Sequence, residues 1–110
     1  MRFFAGIAFI AAHPGVVAER KRALAQADPL SFARACIALS NLDFASSLKK
    51  IACKTLVMVG ELDQTTPPAL ARELASGIAG AQFQELPGCG HCPQIEQPEA
   101  FVAAPRGFLS

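Results

Sequence analysis

Apolar positions change their spacing near the middle of the chain. Up to about residue 46 they recur at helical intervals and never alternate with period two, which predicts consecutive helices. An apolar run from Phe3 to Ala12 stops short of Pro14 and predicts a buried helix ending there. Pro14 opens a second helix, with Val16, Val17, Ala23, Leu24 and Ala27 at roughly helical spacing and Arg20 and Lys21 outside. Asp28 and Pro29 form the N-cap and first-turn pair of a third, which places Leu30, Ala33, Cys36 and Ile37 on one face.

From about Leu48 the pattern differs. Thr55 to Val59 is a continuous apolar run closed by Gly60, as in a strand of a parallel sheet buried on both faces. Thr66-Pro67-Pro68 starts a helix with Leu70, Leu74 and Ile78 four residues apart, and Gly77 and Gly80 mark its end. Gln82 to Leu86 is a second strand, after which Pro87-Gly88 turns the chain toward His91. The result is one βαβ unit, expected to be right-handed, hence an α/β fold with parallel strands. A final helix from about Gln97 carries Phe101, Val102 and Phe108, and Pro105 is expected to break or kink it.

That order gives the polar residues at the strand ends their interest. Asp63 follows the first strand and His91 the second, so both emerge at the carboxyl edge of a parallel sheet, where α/β folds bind ligands. A histidine that shuttles a proton in acyl transfer needs its ring held in one tautomer, and a carboxylate on the other ring nitrogen holds it. Asp63 and His91 are the candidate acid and base of such a site; Glu61 is a competing acid nearer the strand end. Taken singly, Asp63 reads as a turn or N-cap residue and His91 as a loop histidine. Their joint placement, with Glu96-Gln97-Pro98 following, favours catalysis. None of Ser31, Ser40, Ser46, Ser47, Ser76 and Ser110 lies in G-x-S-x-G, the pattern that presents a serine nucleophile on a strand-to-helix elbow.

Composition narrows the alternatives. The 110 residues suit one small domain that buries about 65% of its unfolded surface. The apolar share, 52%, is slightly above the usual range, as expected where some faces await further chain. A net charge of +1 and a single three-residue basic run, Arg20-Lys21-Arg22, give no basic stripe for nucleic acid. The apolar run near the start is too short to span a bilayer, so no membrane partner is expected. Met1-Arg2 ahead of that run has the outline of a signal peptide, but a buried helix and a start codon inside a longer coding region are the preferred account.

Four unevenly placed cysteines, Cys36, Cys53, Cys89 and Cys92, do not make a disulfide framework, and the cytoplasm is the expected location. Cys89-Gly90-His91-Cys92 is a C-x-x-C, yet Pro93 follows directly and too little chain remains for a thioredoxin-type unit. A zinc site there lacks a second ligand pair.

The stretch Thr55 to Asp63, then Thr66-Pro67-Pro68, Gly90-His91 and Glu96-Gln97-Pro98-Glu99-Ala100-Phe101 resembles the C-terminal part of α/β-hydrolases, in particular the branch containing 3-oxoadipate enol-lactonase. The likeness covers residues 51–110 well and 16–43 more loosely. It implies a helical cap (lid) portion over 1–46 and the C-terminal portion of the hydrolase core, a βαβ unit with a C-terminal helix, over 47–110. It also implies serine-type hydrolysis of a small ester or lactone without metal or organic cofactor, with Asp63 and His91 as two members of the triad. Lys54, where such chains usually carry Pro, and Pro105 are departures. The expected state is a hydrolase fragment, inactive alone for want of a nucleophile. The alternatives are a non-catalytic half-domain that pairs with a separate N-terminal chain or with its own copy, and a small thiol protein using Cys89 and Cys92. Substrate identity depends on the cap and pocket wall, of which only part is present.

Overall fold

The computed structural model describes residues 6–110; Met1-Arg2 and the first residues of the apolar run from Phe3 lie outside the described residues. Three helices come first: α1 (Ile7–Ala12), α2 (Pro14–Ala25) and α3 (Pro29–Ser40). Pro14 and Pro29 each sit at a helix start, where the missing N–H has no intrahelical partner to lose. The Asp28 carboxylate accepts from Ser31 N at 2.7 Å and caps α3.

These helices bury little. Helix α1 ends before Pro14 as expected, but Ile7 is 83% exposed and no residue of the helix is buried. Leu30 and Ile37 on α3 are likewise exposed, whereas Val17 of α2 is buried. Apolar spacing marks a face that can be buried; burial also needs a covering surface, which the described residues do not supply here.

A 3-10 helix (Ala45–Lys50) leads into β1 (Leu56–Gly60), α4 (Pro68–Ser76) and β2 (Gln82–Leu86). The strands pair in parallel with Leu56 opposite Gln82 and Gly60 opposite Leu86, and they are the two strands of the sheet among the described residues. Val57 and Val59 are buried, whereas Leu56 and Met58 are half-buried, so burial of β1 is fuller on one face than the other.

Helix α4 covers the face shared by Val57, Val59, Phe83 and Glu85. Its Arg72 bonds Glu85 at 2.8 Å and lies 4.4 Å over the Phe83 ring. On the opposite face a cavity of about 480 Å³ between sheet and final helix is lined by Leu56, Gln84, Leu86, Ala104 and Phe108. The unit is therefore layered helix, sheet, helix.

A one-turn helix, α5 (Pro93–Glu96), precedes α6 (Pro98–Leu109) and was not evident from periodicity, since four residues are too few to show one. Contrary to expectation, α6 runs through Pro105. The ring removes one N–H, but Ala104 is buried and Phe101 and Phe108 half-buried, so the packed face holds the helix together across the lost bond. Lys54 extends its ammonium to 5.8 Å from the Phe108 ring and so lies against this helix.

Candidate active site

Both loops of interest leave the carboxyl ends of the parallel strands. Backbone bonds tie them together: Glu61 N donates to Leu86 O at 3.0 Å and Leu62 N to Cys89 O at 2.8 Å. Gly60 allows this approach. A Cβ there would lie 2.8 Å from the Cys89 carbonyl carbon and closer still to the Cys89 and Gly90 oxygens. Gly88 adopts a φ of +66°, which lets the chain reverse after Pro87.

Asp63 and His91, 28 residues apart in sequence, meet there: His91 Nδ1 lies 2.9 Å from Asp63 Oδ2. The Asp63 side chain is 5% exposed and the His91 ring 30%, so the acid is sequestered while the ring reaches the surface. Asp63 Oδ1 accepts from Thr65 N and Thr66 N, each at 2.9 Å, and Oδ2 also accepts from the Thr66 hydroxyl at 2.9 Å. With His91, the carboxylate then accepts four bonds, the full capacity of an ionised group. Burial alone would raise its pKa, but the bonds from His91, Thr66 and Thr65 outweigh burial and hold it below the usual carboxylate value.

Thr66 Oγ1 also lies 3.5 Å from His91 Nδ1. That hydroxyl gives its proton to Asp63 and so faces Nδ1 only as an acceptor, as does the ionised carboxylate; Nδ1 is therefore the protonated nitrogen, and Nε2 is left as the proton acceptor. The ring adjoins a cleft of about 440 Å³ running along β1 and α4, lined by Val57, Val59, Leu70, Leu74 and Pro93 besides the pair itself.

Glu61 is engaged elsewhere. Its Oε2 accepts from Gly88 N at 2.7 Å, and Gln97 Nε2 donates to Pro87 O at 2.8 Å, so both side chains brace the loop leading to His91. Thr65 and Thr66 were not read from the sequence as partners of Asp63, Thr66 being read as a helix start. Their signal was an Asp at the start of a turn, whose carboxylate can accept from the backbone N–H groups two and three residues on, the pattern of an Asx-turn.

The cysteines do not form a reactive pair. Cys89 is fully buried, and burial, with the Glu96 carboxylate next, pushes its thiol up to about 11; burial also raises Cys92. Such thiols are poor sources of thiolate. Among the described residues no group of His, Cys, Asp and Glu is arranged to hold a metal ion.

Residues 1–104 match the sequence profile of the alpha/beta hydrolase family. The chain belongs to that family. As an alpha/beta hydrolase it is 38% identical over 66 residues to the alpha/beta hydrolase domain-containing protein VTE7 of Arabidopsis thaliana, a match covering 60% of this chain and 20% of that protein. It is 35% identical over 68 residues to a 2-hydroxy-6-oxononadienedioate/2-hydroxy-6-oxononatrienedioate hydrolase of Escherichia coli, covering 62% and 24%. Among solved structures, the enol-lactonase from Burkholderia xenovorans LB400 superposes with a TM-score of 0.90 at 31% identity, over 98% of this chain and 41% of that one. A thermophilic esterase from Thermogutta terrifontis aligns over 61% of this chain and 25% of its own, with a TM-score of 0.59 at 39% identity. The chain thus spans about a fifth to a quarter of the length of these curated relatives. The fold is that of an α/β-hydrolase, of which these residues make up part. No helix among the described residues is long and apolar enough to cross a membrane.

Proposed function

We propose that this chain supplies the acid and the histidine of a serine-type hydrolase acting on a small ester or lactone, with the nucleophile on a segment outside these residues. The observation that carries this reading is the Asp63 Oδ2 to His91 Nδ1 pair at 2.9 Å, with every remaining acceptor site of the acid filled. An Asp held this way cannot rotate to another partner. It fixes the ring with Nδ1 protonated, and Nε2 then takes the proton of an attacking hydroxyl and returns it to the leaving group. Asp63 stabilises the imidazolium formed between these steps.

The substrate class rests on likeness to the enol-lactonase, which aligns over nearly the whole chain. The cleft beside His91 is largely apolar, with the polar pair at one end, as suits a small acyl group. Co-expression with an upstream segment containing G-x-S-x-G tests the proposal. Ester or lactone hydrolysis should appear in the combination, be absent from either part alone, and vanish in His91→Ala. A combination that assembles but stays inert, or activity surviving His91→Ala, would overturn it.

A second reading, a non-catalytic half-domain that pairs with a separate N-terminal chain, is favoured by β1. Among the described residues that strand pairs with β2 alone, and the open cleft runs along its apolar residues. Assembly without hydrolysis is the outcome that would select it.

A further inference from the structure

The geometry points to Glu96 as the positioning residue of His91: its carboxylate clamps the backbone N–H groups of Gly90 and Cys92, the residues on either side of the histidine. Glu96 Oε2 accepts from Gly90 N at 2.9 Å and Oε1 from Cys92 N at 3.2 Å. The inference rests on the proposal that His91 is the base.

Between the peptide planes carrying those two N–H groups lie only the φ and ψ of Gly90 and His91. One carboxylate that fixes both planes therefore fixes where the His91 side chain leaves the backbone. Gly90 has no Cβ to restrict it, so without the clamp this joint is free to flex. Bonds to an ionised acceptor are about twice as strong as neutral ones, and Glu96 makes two of them.

The anchor is itself held. Glu96 N donates to Cys92 O at 2.9 Å, so the side chain and backbone of the same residue grip Cys92 from both sides. A side chain reaching back along α5 to its N-cap would account for the bond to Cys92 N, although Glu96 stands at N4, one residue past the capping-box position. Such a cap does not account for the bond to Gly90 N, which lies before the cap residue Cys92. Gly6 lies against the clamp: a Cβ at that position would come within 2.8 Å of Glu96 Oε2. Glu61 and Gln97 act earlier in the loop, at Gly88 and Pro87.

The test reads the ring. In the full chain labelled with 15N-histidine, the shifts of the two His91 ring nitrogens in the neutral form report the ratio of Nδ1–H to Nε2–H tautomers. The wild type should be predominantly Nδ1–H. In Glu96→Ala that ratio should fall about fivefold or more, a change equivalent to losing one modest hydrogen bond. Glu96→Gln, which keeps the shape and one acceptor oxygen, should give a smaller fall and decides the matter if the alanine variant does not fold. The backbone amide shifts of β1 and β2 should hold in both, which a general loss of structure would not allow.

An unchanged tautomer ratio in the folded Glu96 variants would overturn the assignment. Asp63→Asn separates that failure from failure of the pair itself. If the wild type is not Nδ1–H, or if Asp63→Asn leaves the ratio unaltered, the acid and histidine are not coupled and the role of Glu96 falls with them. If Asp63→Asn shifts the ratio and the Glu96 variants do not, only the clamp is refuted.

Discussion

Gly60 is the point at which the end of β1 meets the loop carrying His91, and replacing it by Ala puts a methyl group into backbone. The new Cβ would lie 2.8 Å from the Cys89 carbonyl carbon, with the Cys89 and Gly90 oxygens nearer still. No side chain can rotate to make room. Relief requires the strand end and the loop to part, which strains the bonds from Leu62 N to Cys89 O and from Glu61 N to Leu86 O. Overpacking in a close-packed site costs roughly 1–3 kcal/mol, and rigid neighbours place this case at about 3 kcal/mol. For a domain near this size each kcal/mol moves the midpoint by about 4–8 °C, so Tm should drop by roughly 12–24 °C.

Two other glycines calibrate the claim. At Gly77 a Cβ meets Leu48 Cδ1 at 2.7 Å and Cβ at 3.2 Å, the first of them the mobile end of a side chain. Gly77→Ala should therefore cost less than about 1 kcal/mol. At Gly107, inside α6, nothing lies within 4 Å, and Gly107→Ala should gain about 0.5 kcal/mol from helix propensity. Thermal unfolding followed by circular dichroism should rank the three variants in that order. A Gly60→Ala chain melting within about 3 °C of wild type would refute the steric account of how the two loops are joined.

Further outcomes follow from the site. Replacing Asp63 by Asn keeps an oxygen for the Thr65 and Thr66 amides but turns an acceptor toward His91 into a donor; in the complemented enzyme kcat should fall by about 10⁴, while assembly is retained. An Asp63→Asn enzyme within about tenfold of wild-type kcat would show that the pair is not catalytic. The folded-state pKa of Asp63 is depressed, so the stability it contributes is fully present above its unfolded value of 3.8 and is lost as pH falls through the lower folded value. Urea unfolding across that acid range should show a smaller pH slope in Asp63→Asn than in wild type; equal slopes would mean that the carboxylate is not held as described. Cys36 and Cys53 are exposed and should react first with an alkylating reagent at about pH 8, with the buried Cys89, its thiol raised to about 11, reacting only on unfolding. Mass spectrometry finding Cys89 labelled as fast as Cys36 would reopen thiol chemistry.

Local chemistry determined a large share of this chain directly from sequence. Pro14, Pro29 and Pro68 mark helix starts because proline fits a first turn, and Asp28 caps because its carboxylate reaches an N–H three residues on. The strand Leu56–Gly60 follows from an apolar run closed by glycine, Gln82–Leu86 from a short segment closed by Pro87-Gly88, and Asp63 and His91 stand beyond their carboxyl ends. Each of these depends on neighbours a few residues away.

What depended on distant neighbours was decided only by the tertiary structure. The apolar run of α1 indicated burial and the spacing in α3 a common apolar face, but covering a face takes a second surface, and Ile7, Leu30 and Ile37 have none among the described residues. Pro105 has the same ring wherever it stands, and the helix continues past it because the face carrying Phe101, Ala104 and Phe108 is buried or half-buried on the sheet side. Both Glu61 and Asp63 stand near the end of β1. The turn after Gly60 sends one to Gly88 N and the other to His91 Nδ1. Glu96 was visible as a letter after the histidine, and its two bonds exist only because α5 folds it back beneath the loop it follows. Spacing along a chain specifies which face a side chain can take, whereas the partner it finds there is set by packing across the fold.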